Sequence, residues 1–175
     1  MNSEIFLVDA NSLITPYKAF YPFDFAPGFW KQMKSHIQNG DIAILDKVEK
    51  EICFAKQNKD TLQEWFETLN IANYIDHREA AIVSLYASVL QHLQSNPCYK
   101  PEALAEWSRD SVADAWLIAA AAVHGCTLIT FETFNKGLNS NSPSKRAKIP
   151  NIAADFNVKT GNLYDLMKTL EFKLL

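Results

Sequence analysis

A chain of 175 residues suits one domain with a full-sized core, and the whole span 1–175 reads as a single domain. With 48% hydrophobic residues and only five glycines, the composition excludes a disordered or fibrous chain. A formal charge of −3 excludes a global basic field, so any contact with nucleic acid must be local.

The first element is Ile5-Phe6-Leu7-Val8, a short apolar run that ends on Asp9. It predicts a buried strand that delivers a carboxylate to its C-terminal tip. A first helix follows, and then an aromatic cluster, Phe20-Tyr21-Pro22-Phe23-Asp24-Phe25, which could stack bases and is expected rather to serve as core or as an oligomer contact. The spacing of Phe29, Trp30, Met33 and Ile37 predicts a helix, which the turn Asn39-Gly40 ends. Asp41 to Asp46 predicts a second strand, and Cys126 to Thr130, after Gly125, a third. Between these lie expected helices at Val48–Lys56, at Leu62–Leu69 with Asp60 or Thr61 as cap, at Glu79–Leu93, at a short segment opened by Pro101, and at Ser111–His124. Asn135 to Pro150 predicts a polar loop, and Leu163 to Leu170 a final helix. Strands with continuous apolar runs that alternate with helices predict an α/β fold, a three-layer α/β/α sandwich around a parallel sheet.

The three cysteines, Cys53, Cys98 and Cys126, form no CxxC pair, so neither a zinc site nor a disulfide framework is expected, and they fit a reducing cytosol. The N-terminus has no basic region, and the apolar stretch Trp116–Val123 falls far short of the roughly 20 residues of a membrane span. A cytoplasmic protein with no membrane association is expected.

Four carboxylates fall at related places. Asp9 ends the first strand, Glu51 lies early in the helix after the second, Asp114 lies in the first turn of the apolar helix, and Glu132 follows the third strand by two residues. In a parallel sheet, strand tips and the first turns of the following helices share one edge. Two like charges about 4 Å apart repel by roughly 4 kcal/mol at an effective dielectric of 20. Converging acids therefore need a cation. Hard divalent ions such as Mg²⁺ or Mn²⁺ prefer such an all-oxygen set and suit phosphodiester hydrolysis. Each acid also has a plainer reading: Asp9 as a turn residue, Glu51 on a solvated face, Asp114 in a capping box with Ser111, and Glu132 as cap of a helix from Thr133.

The blocks Leu7-Val8-Asp9-Ala10-Asn11, Val48-Glu49-Lys50-Glu51-Ile52, Asp114-Ala115-Trp116-Leu117-Ile118-Ala119-Ala120-Ala121 and Leu128-Ile129-Thr130-Phe131-Glu132 resemble the PIN domain of VapC-like prokaryotic toxin ribonucleases. The tail from Lys145 to the end resembles a poorly characterised PIN-like branch. The resemblance implies a PIN-like sandwich and Mg²⁺- or Mn²⁺-dependent endonucleolytic cleavage of single-stranded RNA. It also implies the role of toxin in a type II toxin-antitoxin module, neutralisation by an antitoxin from an adjacent gene, and often a homodimer. By position, Asp9, Glu51 and Asp114 match the three core acids. Glu132 stands where the family usually has Asp, one methylene shorter. Asp9, Asp114 and Glu132 would ligate the metal, and Asn11 and Thr130 match polar positions that orient the acids or waters. Asp110, four residues before Asp114, is a reserve ligand and more simply a surface residue.

Between Thr133 and Ala154 the chain carries Lys136, Lys145, Arg146 and Lys148 and no acid, a local basic stretch that could meet RNA phosphates. Arg109 is a further phosphate-contact candidate, with an ion pair to Asp110 or Glu106 as its plainer reading. His36, His77, His92 and His124 have no ligand spacing and read as surface or helix-end residues. Two other functions compete with the ribonuclease. One is a catalytically weak or inactive PIN-like binding module, which Glu132 and the negative charge favour. The other is an aspartyl phosphatase, which Asn11 disfavours, because such enzymes carry a second Asp there.

Overall fold

The computed structural model describes residues 4–53 and 59–173. Five short strands, β1 (Phe6–Val8), β2 (Ile42–Leu45), β3 (Asn73–Ile75), β4 (Thr127–Ile129) and β5 (Thr160–Gly161), pair in the order β3-β2-β1-β4-β5. Every pairing is parallel: Phe6 lies beside Ile42 on one side and Thr127 on the other, and Leu7 beside Ala43 and Leu128. Every residue of β1, β2 and β4 is buried, as expected where helices cover both faces of a parallel sheet. The expected three strands thus form the centre of a three-layer sandwich. The two edge strands, β3 and β5, gave no apolar run to find.

Helix α1 (Asn11–Thr15) runs directly into a π-helical turn, Pro16–Phe20. Helix α2 (Pro27–Asn39) buries Phe29, Trp30, Met33 and Ile37 and stops at Gly40, whose φ of +88° disfavours any side chain. A Cβ there would also meet the Asn73 amide at 3.1 Å. Helix α3 (Asp46–Ile52) follows β2 without a loop. It ends earlier than the expected Lys56, which lies outside the described residues. Helix α4 (Thr61–Glu67) is capped as expected: the Asp60 carboxylate accepts from Gln63 N at 2.9 Å.

Helices α5 (Ala80–Ser95) and α6 (Pro101–Trp107) match the expected segments to within a turn. Helix α7 (Asp114–His124) packs most extensively on α5, where Trp116 stacks on Tyr86 with ring centroids 3.6 Å apart. It starts at Asp114, three residues later than expected, and the Ser111–Asp114 capping box does not form; its N-cap is Ala113, which offers no side-chain acceptor. Helix α8 (Ile149–Asp155) begins at the end of the expected polar loop, and α9 (Leu163–Thr169) opens on an Asn162–Asp165 capping box. Among the described residues, no helix is long and apolar enough to cross a membrane.

The chain reverses its direction of sheet growth between β1 and β4. The carboxyl ends of those two strands therefore flank the crevice where open α/β sheets bind ligands.

Candidate active site

Asp9 is the first residue past β1 and is only 5% exposed. Its Oδ2 accepts from the Thr130 hydroxyl at 3.2 Å, and its Oδ1 from the Asn11 backbone N–H at 3.4 Å. Asn11 thus orients the acid through its main chain. The Thr130 hydroxyl also accepts from Glu132 N at 3.1 Å, so one buried hydroxyl sets both the β1 and the β4 acid. A residue without an assigned role, Ser12, fastens the same corner: its buried hydroxyl donates to the Ile129 carbonyl at 3.1 Å. Asp9 N donates to that carbonyl as well, at 3.0 Å.

Asp114 is the first residue of α7 and half-buried, and Glu51 sits exposed on α3. Their placement follows from short connections: α3 leaves β2 directly, and α7 begins where its apolar run begins. Neither carboxylate makes a hydrogen bond or an ion pair with a described residue. Burial, followed by the charges of Asp9, Glu132 and Glu51, pushes the Asp114 carboxyl up to about 7. Burial also raises the Asp9 carboxyl, with a further contribution from the Glu132 charge, against the hydrogen bonds from Asn11 and Thr130. Glu51 is raised by desolvation and then by the charge of Asp9. The four predicted acids therefore share one electrostatic neighbourhood.

Glu132 is the member with its own partners. Its Oε1 takes the Lys148 ammonium at 2.9 Å, and its Oε2 accepts from the Ile149 backbone N–H at 2.7 Å. It caps a helix, as its plainer reading has it, but that helix is α8, 17 residues on, and none starts at Thr133. No three of the four acids bring ligand atoms within 4.8 Å of one another. Glu132 is held toward Lys148 and α8. The donor set nonetheless fits a hard divalent cation, because two all-oxygen side chains are without partners and Asp114 carries a proton that a cation would displace.

A family model described as "Domain of unknown function (DUF4411)" matches residues 6–174. The chain belongs to the DUF4411 family. No curated protein matches it. Solved structures similar in fold include two complexes with DNA. VapBC2 from Rickettsia felis bound to a DNA fragment from the promoter aligns with a TM-score of 0.54 at 15% identity, over 90% of this chain and 98% of that one. FitAB bound to the IR36 DNA fragment aligns at 0.50, also with 15% identity, over 91% and 96%. The fold of this chain is thus PIN-like.

Other residues of this DUF4411 chain fall less simply. Lys47, buried on α3, donates to Asp110 Oδ1 at 2.7 Å and to the Asp110 carbonyl at 3.0 Å. Asp110 is therefore a counter-ion for Lys47, and Arg109 pairs with neither Asp110 nor Glu106 among the described residues. In the basic stretch Lys145 pairs with Glu102 at 3.4 Å and Lys148 with Glu132, which leaves Lys136 and Arg146 with free heads among the described residues.

His77 lies just after β3, half-buried, and is not at a helix end as expected. Its Nδ1 meets Asp46 Oδ2 at 2.6 Å, and its ring stands edge-on to Trp116. Asp46, Asp76 and His77 bring ligand atoms within 4.8 Å of one another, a cluster that sequence reasoning missed because its parts lie 30 residues apart. The only signal was that each follows a strand. Asp46 is also served by His77 N at 3.1 Å and Lys50 at 3.3 Å, which ties the end of β2 to the end of β3.

Proposed function

We propose that this chain is a divalent-metal-dependent endonuclease that cleaves single-stranded RNA, acts in the cytoplasm, and works as the toxin of a two-gene module. The observation that carries the nuclease reading is Asp114: a half-buried carboxyl without a partner at the switch point of a PIN-like sheet, raised to about 7 by burial and by four neighbouring acids. The PIN-like fold supports the toxin reading, since VapBC2 and FitAB share it. By that analogy an antitoxin would be the partner, and a homodimer the assembly.

Asp9, Asp114 and Glu51 would hold Mg²⁺ or Mn²⁺, with Glu132 at the rim. Bound there, the cation would lower the pKa of water and offset the charge that develops on phosphorus-linked oxygens. The residues prepare that chemistry. Thr130 and Asn11 fix the Asp9 carboxylate, Asp114 would give up its proton on loading, and Lys148 holds the Glu132 carboxylate. In the overall reaction water adds across a backbone P–O bond, yielding a phosphate monoester and an alcohol. Lys136, Arg146 and Arg109 are free to meet RNA phosphates.

Purified protein incubated with single-stranded RNA and Mn²⁺ or Mg²⁺ should cleave it, and EDTA or Asp9→Asn should abolish cleavage. Cleavage that survives EDTA, or that Asp9→Asn leaves unchanged, overturns this mechanism. A second reading, a non-catalytic PIN-like binding module, is favoured by the engagement of both Glu132 oxygens. Absence of Mn²⁺ binding in calorimetry, with RNA binding retained, would establish it.

A further inference from the structure

The π-helical turn Pro16–Phe20 is the feature that the metal chemistry leaves unused. Such turns are rare and concentrate at functional sites. The wide turn closes through Tyr21 N donating to the Pro16 carbonyl at 2.7 Å, and it sends successive side chains to different surroundings. Tyr17 packs inward against Phe23, with ring centroids 5.7 Å apart. Lys18 points out and has no ion-pair partner among the described residues. It lines a small cavity with Glu51 and, with Tyr17 and Asp60, also lines a cleft of about 610 Å³ bounded by Pro22, Phe23 and Asp24. A cleft of that size is within the range that receives a small ligand such as a nucleotide.

Phe20 leaves the same turn on the other side. It is 46% exposed and lies nearly parallel to Phe131, at 24° with centroids 6.3 Å apart. Phe131 stands between Thr130, which holds Asp9, and Glu132. Elsewhere in the aromatic run Tyr21 lies against Phe29 at 4.7 Å and Phe23 stacks on Trp30 at 4.3 Å, while Phe25 is 79% exposed. Of the two exposed rings in the run, Phe20 is the one that stacks on Phe131, the residue before Glu132.

We infer that the Pro16–Phe20 turn grips the RNA strand on either side of the acids, with Lys18 taking a backbone phosphate on the Glu51 side and Phe20, backed by Phe131, stacking a base on the Glu132 side. A cation paired with an aromatic shelf along a groove is the recurrent solution for single-stranded nucleic acid. The inference rests on the nuclease reading and names its substrate contacts.

Fluorescence anisotropy of a labelled RNA dodecamer, in EDTA to stop turnover, tests it. Phe20→Ala should weaken binding about tenfold and Phe20→Tyr should restore it, as expected for stacking. Lys18→Met should lower the slope of log affinity against log salt by about one, as loss of one phosphate contact does, and Lys18→Arg should keep it. With Mn²⁺, Phe20→Ala should raise KM more than it lowers kcat. Variants that bind and cleave like an active wild type overturn the subsite and leave the nuclease reading standing. A wild type that neither binds nor cleaves RNA overturns both. If Phe20→Ala shifts only the sedimentation coefficient, the shelf is an interface between copies of the chain, and the inference fails.

Discussion

Asp114 is the residue at which burial, repulsion and function meet. Its carboxyl titrates near 7 in the fold against 3.8 ordinarily. Between roughly pH 4 and 7 the folded state therefore holds a proton that the unfolded chain has lost, so stability falls as pH rises through that window and levels off above it. The full shift corresponds to something on the order of 4 kcal/mol. Asp114→Asn removes the ionisation, so its Tm should fall less between pH 5 and pH 8. At pH 8 the variant should melt roughly 4–8 °C above the wild type, which is about 2 kcal/mol for a chain of this size. Superimposable pH–Tm curves for the two proteins would refute the assignment. The same proton opposes metal loading. Calorimetry with Mn²⁺ should therefore give an affinity that climbs between pH 6 and pH 8, with proton release, and a flat profile would count against Asp114 as ligand.

At the scale of elements, the loop after β4 is held by one acid. Glu132 ties Lys148 and the first N–H of α8 to the end of the sheet. Glu132→Ala leaves that ammonium and N–H unpaired and should cost about 1–2 kcal/mol in urea unfolding, with no change in m-value. A stability equal to wild type would show that the loop closes without it. This latch was illegible in the sequence, because it joins residues 16 and 17 positions apart across a polar loop. The central strands could be read because β1, β2 and β4 are unbroken apolar runs, buried on both faces. Asn73-Tyr74-Ile75 and Thr160-Gly161 could not, since edge strands of two or three residues need only one neighbour and half a cover. Asp9 and Asp114 were legible for a related reason: each sits at a sharp boundary between an apolar run and what adjoins it. The late start of α7 at Asp114 was not, since Ser111 and Val112 are as compatible with a helix as with the turn they adopt.

For the whole molecule, the order β3-β2-β1-β4-β5 puts Asp9 and Glu132 on either side of the switch point, and Glu51 comes in on α3 after β2 and Asp114 at the start of α7, ahead of β4. Free of metal, the fold keeps these acids together against their repulsion, so a divalent cation should stabilise the protein globally. Millimolar Mn²⁺ should raise the Tm of the wild type at pH 8 and raise it less at pH 6, where Asp114 is largely protonated; equal shifts at the two pH values would place the binding elsewhere, for example at Asp46, Asp76 and His77. The most direct measurement is cleavage of one labelled single-stranded RNA by the wild type and Asp114→Asn across a Mn²⁺ titration. The account predicts cleavage that follows Mn²⁺ occupancy in the wild type and none in the variant at any concentration. Equal cleavage by both, or cleavage independent of Mn²⁺, would contradict it.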